Sequence, residues 1–183
     1  MTEVMIDLET LSTSSMAAIL TIGAIKFTRD KSIPTLDKCD SFYRRINLDS
    51  CKTIGLECSD QTIKWWNNQS SEAKYEALEN PDRILIKKAL IEFSEWFGNT
   101  KIIWSHGDDF DCVILGNAFS QCGLTVPWKF WNTRDTRTLY DIGNIKMSDL
   151  PQDNAHHALH DCHRQIIGIH KSLENLKNIY VNK

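Results

Sequence analysis

Acidic residues occur at three distant places in this chain where they could share one cation. Asp7 and Glu9 follow the apolar residues near the start, Asp111 comes after Phe110, and Asp161 lies near the end. Burying a carboxylate costs several kcal/mol unless a cation compensates its charge. Because Asp7 and Glu9 are two residues apart, they point to the same face of a strand. Such a pair repels itself until Mg²⁺ or Mn²⁺ neutralises it, which suits metal-assisted phosphate chemistry.

A histidine five residues before Asp161 supplies the other group that phosphate hydrolysis needs. An imidazole titrates near neutral pH, so His156 can take a proton from an attacking water. His157 is the alternative base, one helical turn from Asp161 if both lie on a helix. His106 lies near Asp111 in sequence, where a turn or supporting role is expected instead. His160 and His163 are predicted to face other directions or solvent.

The elements that must position these residues are predicted from hydrophobic periodicity. Three strands in a row predict an antiparallel meander, and helices with one further strand follow. Strands are predicted at 3–9, 17–27, 41–48 and 101–105, and helices from Ser59 or Asp60, over 84–97, over 110–119 and over 155–176. Asp108 and Asp109 are predicted to cap the third of these helices or to lie in the turn before it. This order predicts an α/β fold with a mixed sheet flanked by helices, whose acidic segments can meet at one edge.

The composition predicts a globular protein without a membrane-spanning segment, and it does not indicate an activity. A chain of 183 residues, 42% hydrophobic and 25% charged, fits a single globular domain spanning 1–183. No apolar run approaches the ~18 residues of a membrane span, and the start lacks the pattern of a secretory signal. The six cysteines show no zinc or disulfide spacing, so free thiols in a reducing compartment are expected. We therefore expect a cytoplasmic protein without a membrane partner. Its net charge of -3 neither indicates nor excludes nucleic-acid binding.

Three motifs together resemble those of the DEDDh 3′-5′ exonucleases. They are Asp-x-Glu-Thr at 7–10, Phe-Asp at 110–111 and His-x-Ala-x-x-Asp at 156–161. Two further segments, at 62–73 and 129–137, resemble the exodeoxyribonuclease A group of T-even bacteriophages and, more loosely, the Rv2179c-like exoribonucleases. The resemblance covers most of the chain and implies a ribonuclease H-like fold. A phage origin would place the protein in the cytoplasm of a bacterial host.

The resemblance implies a role for each motif residue. Asp7, Glu9 and Asp161 match positions that bind two Mg²⁺ or Mn²⁺ ions, with Asp7 bridging them, and Asp111 matches the residue that holds the second ion. His156 matches the general base.

Substrate contacts are predicted less directly. Thr10 and Leu11 match residues that line the pocket of the terminal nucleotide. One tryptophan of the pair Trp65 and Trp66 is expected in the core, because adjacent helical residues point about 100° apart. Trp66 is the tryptophan that we assign to base stacking, and Arg134 is predicted to contact a phosphate.

These features predict a metal-dependent 3′-5′ exonuclease that releases nucleoside 5′-monophosphates from a single-stranded end. The partner is a single-stranded nucleic acid with a free 3′ end, with DNA favoured over RNA, and a homodimer is compatible with the family. An exoribonuclease is the alternative of the same class. A nucleic-acid-binding module without activity and a metal-dependent phosphatase of mononucleotides are the alternatives of other classes.

Overall fold

The structure is a computed structural model that describes residues 1–151 and 156–181. Within those ranges the strands are β1 (Glu3–Thr10), β2 (Ile19–Phe27), β3 (Asp40–Arg45), β4 (Ile103–Ser105) and β5 (Thr133–Asp135). The helices are α1 (Leu48–Thr53), α2 (Asp60–Asn67), α3 (Ser71–Lys74), α4 (Ile86–Phe97), α5 (Asp111–Gln121), α6 (Thr136–Ile142) and α7 (Ala158–Val181). A π-helical turn over Tyr75–Glu79 extends α3. No helix in these described ranges is long and apolar enough to cross a bilayer.

The five strands form one mixed sheet in the order β3-β2-β1-β4-β5. β1 pairs antiparallel with β2 and parallel with β4, and β5 continues the sheet parallel to β4. The predicted meander and the α/β class are confirmed. β5 and α6 were not predicted, because the strand is only three residues long and its sequence, Thr-Arg-Asp, is polar.

Alternation along β1 decides which side chains reach the core and which reach the site. Val4, Ile6 and Leu8 pack in the core cluster that also contains Leu90 and Phe93 of α4. The opposite face carries Met5, which packs against α7 through Cys162 and Ile166. Asp7 and Glu9 follow Met5 at steps of two, so the same alternation directs both carboxylates to the α7 side.

Several helix ends agree with the sequence. The Ser59 side chain accepts the Thr62 backbone N–H at the start of α2, and α4 ends at Gly98 with φ of 59°. α5 begins at Asp111 as expected, but Phe110 occupies its N-cap position without a side-chain hydrogen bond. Asp108 and Asp109 lie in the preceding turn, so the turn alternative is the one observed.

The last helix begins later than the sequence indicated. α7 starts at Ala158, and the predicted first residue, Ala155, lies outside the described residues. His156 and His157 precede the helix, so the expectation that His157 lies on it is wrong. His156 has φ of 65°, in the left-handed region that non-glycine residues rarely adopt. The helix runs to Val181, beyond the predicted end at 176.

The start of α7 rests directly on the middle of the sheet because β2 has a glycine there. A Cβ atom on Gly23 would lie 2.6 Å from the backbone carbonyl carbon of Ala158. Gly23 pairs with Asp7 on β1, so this contact also sets the position of α7 beside the acidic strand. The absent side chain therefore allows Asp161, one turn into α7, to approach Asp7.

We expect Gly23→Ala to destabilise the protein by about 1–3 kcal/mol, because the added methyl group meets backbone that cannot move aside locally. Urea unfolding measures this free energy. Gly116→Ala on α5 is the matched control, since its nearest neighbour would be a Val126 side-chain atom at 3.9 Å. That control should be neutral or stabilising by up to ~1 kcal/mol. Equal stability of Gly23→Ala and the wild type would contradict the close packing.

Candidate active site

Three carboxylates from two elements converge at the end of β1. One oxygen from each of Asp7, Glu9 and Asp161 lies within 4.8 Å of the other two. Asp7 and Glu9 come from β1, and Asp161 comes from the first turn of α7. The pairing of β1 with β2 shifts register between Glu9 and Thr10, an irregularity of the kind that bends a strand locally. The structure thus brings together residues 154 positions apart in the chain.

Asp111 adjoins this group from the opposite layer. It is the first residue of α5 and is only 4% exposed. Its Oδ1 accepts the backbone N–H of Leu8 at 3.0 Å, which ties α5 to β1 between the two acidic positions of that strand. The helix N-terminus and this hydrogen bond both favour a negative charge at Asp111.

The four carboxyl groups strongly oppose one another's ionisation. Burial, followed by repulsion from Asp111, Glu9 and Asp161, raises the pKa of Asp7 well above its ordinary value. Burial and the neighbouring acids raise the pKa of Glu9 to about 8, and burial raises the pKa of Asp111 to about 7. Burial also raises the pKa of Asp161, partly offset by His156. At neutral pH the cluster therefore has a strong affinity for positive charge.

The donor set matches a hard divalent cation. Closely spaced carboxylate oxygens are the ligands that Mg²⁺ and Mn²⁺ prefer, and the group includes neither thiolate nor imidazole. An ion bound there would relieve the repulsion that contributes to the raised pKa values of Asp7 and Glu9. Three of the four predicted metal ligands, Asp7, Glu9 and Asp161, thus form an arrangement that fits such an ion, and Asp111 lies outside that closely spaced group.

His156 lies beside the cluster and against two aromatic rings of α2. Its ring is edge-on to Trp65, with centroids 4.8 Å apart, and the centroid of Trp66 is 6.2 Å away. The positive potential of His156 lowers the pKa of Asp161, so the two side chains are close enough to interact. The predicted base therefore lies near Asp161, on the irregular segment before α7.

The other histidines have structural partners. The His157 ring stacks on Tyr43, with centroids 4.8 Å apart and planes inclined by 14°. His106 Nδ1 lies 2.8 Å from Thr136 Oγ1, as expected for a supporting role near the turn. His163 Nε2 lies 2.9 Å from the Pro34 carbonyl. Among His106, His156, His157 and His163, His156 is the histidine that lies near Asp161 and against the tryptophans of α2.

A cleft of about 340 Å³ opens directly beside Glu9. Its walls are formed by the end of β1, by α2 and by Phe110. They include Leu8, Glu9, Thr10, Thr13, Gln61, Thr62, Trp65, Trp66 and Phe110. A larger cavity of about 990 Å³ lies near Phe27, Trp96 and His170 and is lined by none of the four clustered acids. The smaller cleft is the one that adjoins the cluster.

Of the four predicted substrate contacts, Thr10 and Trp66 line this cleft, whereas Leu11 and Arg134 are not among its lining residues. Trp66 is 1% exposed and donates its indole N–H to the Thr10 carbonyl at 2.9 Å, so it supports the wall. Trp65 is 44% exposed and offers the larger aromatic surface. Leu11 is buried at 4% exposure and is absent from the described residues that form the walls.

Among the basic residues that the sequence offers as phosphate contacts, the structure places Arg137 nearer to the acids than Arg134, the one assigned first. Arg134 lies on β5, where its Nη1 donates to the carbonyls of Trp131 and Thr133. Arg137 comes closer to the acids, since its charge lowers the pKa of Asp111 and its Nη1 would lie 2.8 Å from a Cβ on Gly107. Only knowledge of β5 and α6 would have placed Arg137 there.

Gln165 was missed altogether. Its Nε2 donates to Asp7 Oδ1 at 2.7 Å, and the residue is 3% exposed. Gln165 follows Asp161 by four residues on α7, so helical spacing was the available signal. The amide orients Asp7 and lowers its otherwise raised pKa.

The raised pKa of Glu9 leads to a prediction about pH. The folded protein holds a proton on Glu9 up to about pH 8, whereas the unfolded chain releases it near pH 4.5. The free energy of unfolding therefore falls as the pH rises between those two values, because only the folded protein keeps the proton there. In metal-free buffer at pH 8, the free energy of unfolding of Glu9→Gln should exceed that of the wild type by about 1–3 kcal/mol. At pH 5 the two values should differ little.

Denaturant unfolding at both pH values measures this difference. The exposed Glu95→Gln variant is the matched control and should follow the wild type throughout. Adding Mg²⁺ or Mn²⁺ at pH 8 should stabilise the wild type more than Glu9→Gln. A Glu9→Gln protein that is no more stable than the wild type at pH 8 would contradict the raised pKa of Glu9 in the folded protein.

The Asp7–Gln165 hydrogen bond leads to a second prediction. Gln165→Leu should weaken Mn²⁺ binding about 10–100-fold, because partners that orient a metal ligand typically contribute that much. Calorimetric titration with Mn²⁺ measures the affinity. Gln121→Leu, at an exposed position at the end of α5, should bind Mn²⁺ like the wild type. Unchanged affinity in Gln165→Leu would remove the orienting role.

Comparison with solved structures confirms the fold. E. coli ExoI, in a metal-free complex with single-stranded DNA, matches with a TM-score of 0.63 at 13% identity. That match covers 98% of this chain and 42% of the ExoI chain, so this protein spans less than half of ExoI's length. S. pombe Pop2p, in a form with Mg²⁺ and Mn²⁺ bound, matches with a TM-score of 0.56 at 12% identity over 92% of this chain and 81% of its own. The sheet and helices thus have the ribonuclease H-like fold of the DEDD nucleases.

Sequence comparison identifies the family. An exodeoxyribonuclease of Enterobacteria phage T4 is 26% identical over 197 aligned residues, which cover 91% of this chain and 87% of the phage protein. The model of the Rv2179c-like 3′-5′ exoribonuclease domain matches residues 2–172, including all five candidate catalytic residues. The chain therefore belongs to the Rv2179c-like family of 3′-5′ exonucleases.

Proposed function

We propose that this protein is a metal-dependent exonuclease that removes nucleoside 5′-monophosphates from the 3′ end of single-stranded DNA. The observation that carries the proposal is the convergence of Asp7, Glu9 and Asp161 within 4.8 Å, next to the buried Asp111. The proposal assigns the activity to one domain spanning 1–183, and a homodimer stays a prediction.

Asp7, Glu9, Asp111 and Asp161 would hold two Mg²⁺ or Mn²⁺ ions. When bound, such ions stabilise the negative charge that develops on phosphate oxygens during an in-line displacement. Gln165 holds Asp7 in orientation, and the Leu8 N–H does the same for Asp111. The chain's own contribution is thus a rigid set of oxygens that fixes where the scissile phosphate lies.

His156 would act as the general base. It accepts a proton from the attacking water while Trp65 and Trp66 shield one edge of its ring. The leaving 3′ oxygen departs on the side opposite the attacking water, as an in-line displacement requires. This assignment uses His156 alone, because His157 is occupied by its stack on Tyr43.

The cleft beside Glu9 suits the terminal nucleoside. Its aromatic wall, with Trp65 exposed at 44%, gives any base a surface to stack on. Thr10 lines the same cleft, while Leu11 would act only from behind it. Arg134 and the more closely placed Arg137 are the candidate phosphate contacts on the β5 side.

DNA is proposed as the substrate because the phage exodeoxyribonuclease aligns with nearly the whole chain. RNA is the second candidate, favoured by the description of the matching family as exoribonucleases. A preference between them depends on what meets the ribose 2′ position in the cleft beside Glu9. Both candidates use the same acids and the same base.

Digestion of matched single-stranded DNA and RNA, labelled at the 5′ end, tests the proposal. With Mg²⁺ or Mn²⁺ we expect a ladder that shortens from the 3′ end, faster on DNA, with nucleoside 5′-monophosphates released. Asp7→Asn should abolish the ladder, and His156→Ala should slow it about 10²–10⁴-fold, since that is the usual contribution of a general base. Asp37→Asn, on an exposed turn away from the cluster, is the control and should digest normally.

Other outcomes identify the rival functions. Retention of the oligonucleotide without shortening would indicate a binding module. Release of phosphate from mononucleotides with intact polymers would indicate a phosphatase. Full activity of Asp7→Asn would rule out catalysis by the acidic cluster.

A further inference from the structure

The proposed base sits on a segment that neither a helix nor a strand holds. His156 precedes α7, and its φ of 65° is costly for a residue with a side chain, at about 1–2 kcal/mol. Such a conformation persists only where surrounding contacts determine it. The contacts that hold this segment therefore decide where the His156 imidazole lies.

The segment of His156 and His157 packs between two aromatic rings. On one side, the His156 ring meets Trp65 of α2 edge-on at 4.8 Å. On the other, the His157 ring stacks flat on Tyr43 of β3, also at 4.8 Å. The His157 carbonyl accepts the Asp161 N–H at 3.0 Å, which joins the segment to the first turn of α7. Of these contacts, the Tyr43 stack is the one that links the segment to the sheet.

Tyr43 is itself held firmly. Its hydroxyl donates to Glu76 Oε1 at 2.5 Å, and Arg45 donates to both oxygens of the same carboxylate at 2.7 and 2.9 Å. The Arg45 guanidinium also lies 5.2 Å from the centre of the Tyr43 ring. Burial and the hydrogen bond to Glu76 raise the pKa of Tyr43, so the phenol remains a donor. A bidentate ion pair thus fixes the ring on which His157 stacks.

The sheet register explains why Tyr43 reaches this segment. Asp7, Gly23 and Tyr43 are register partners across β1, β2 and β3. In that row the glycine leaves room for the backbone of Ala158, with the carboxylate on one side and the phenol ring on the other. Asp7, a candidate metal ligand, and Tyr43, which supports the segment of His156 and His157, are therefore the two register partners of Gly23.

We propose that Tyr43, locked by Glu76 and Arg45, is a positioning residue that presents His156 to the acidic cluster through its stack on His157. This inference rests on the proposed function, in which His156 is the base. Tyr43 is neither a member of the carboxylate group nor one of the described residues that line the cleft, so it should affect proton transfer and leave metal and substrate binding intact.

Kinetics of Tyr43→Leu and Tyr43→Phe test the proposal in the full chain with Mg²⁺. Tyr43→Leu removes the stacking ring and should lower kcat about 10–100-fold with little change in KM, because small misplacements of a catalytic group cost that much. Tyr43→Phe keeps the ring and should recover most of kcat. Tyr75→Leu, at a nearby tyrosine that is 51% exposed, is the matched control and should behave like the wild type.

A double-mutant cycle separates positioning from general damage. If Tyr43 acts through His156, then Tyr43→Leu should reduce kcat no further in a His156→Ala background. An equal loss in both backgrounds would overturn the proposal, as would unchanged kcat in Tyr43→Leu. Mn²⁺ affinity should stay at the wild-type value, and its loss in Tyr43→Leu would mean that the acids themselves have moved.

An NMR measurement tests the placement independently of turnover. The chain has six histidines, and His156→Ala assigns the ring signal of His156 by its disappearance. Because the Trp65 ring lies 4.8 Å from that ring and nearly perpendicular to it, the ring current of Trp65 makes the His156 signal sensitive to its position. The signal should shift in Tyr43→Leu and stay in place in Tyr43→Phe. An unmoved signal in Tyr43→Leu overturns the inference. If the signal moves in Tyr43→Leu but the wild type digests neither DNA nor RNA, only the proposed function is overturned.

Discussion

Mutual repulsion among four carboxylates, two of them buried and two half-buried, is the constraint around which this molecule is organised. Asp7, Glu9, Asp111 and Asp161 come from β1, α5 and α7, and burial raises the pKa of every one of them. Left to their own electrostatics these groups would separate. The two layers of core on either side of the sheet must therefore hold them together, and the accumulated negative potential is what a divalent ion would neutralise.

Asp111 and Asp7 are each held by a hydrogen bond from a neighbouring element. Asp111 starts a helix and accepts the Leu8 N–H, both of which stabilise its charge. Asp7 receives a hydrogen bond from Gln165, one turn beyond Asp161 on α7. Glu9 stands apart, because burial and its two acidic neighbours all raise its pKa. The charge at Glu9 thus depends strongly on a cation, which makes it an informative position for titration.

Sequence periodicity predicted the parts of this site that follow from local geometry. The two-residue spacing of Asp7 and Glu9 specified one strand face, and Asp111 was expected at a helix start, where the structure has it. The cap at Ser59 was equally local. These features depend on a few neighbouring residues, which is why the pattern was sufficient.

The features that escaped prediction depend on contacts between distant segments. β5 has three polar residues and exists only because β4 pairs with it, so Arg137 could not be placed near Asp111 in advance. The late start of α7 follows from the row of Asp7, Gly23 and Tyr43, which seats Ala158 on the sheet. Periodicity continued the helix through His156, whereas the backbone leaves the helical region at that residue.

That departure gives the acids and the histidine different kinds of support. The acids lie on regular elements, where backbone hydrogen bonds resist the repulsion between them. His156 lies on an irregular segment whose position depends on side-chain rings, with Trp65 on one side and the His157–Tyr43 stack on the other. Trp66 ties the same aromatic wall to the end of β1 through the Thr10 carbonyl. The wall that would receive the terminal base is thus continuous with the one that confines the imidazole. A nucleotide stacked on Trp65 would lie beside the ring of His156, whose neighbour His157 is held by its stack on Tyr43.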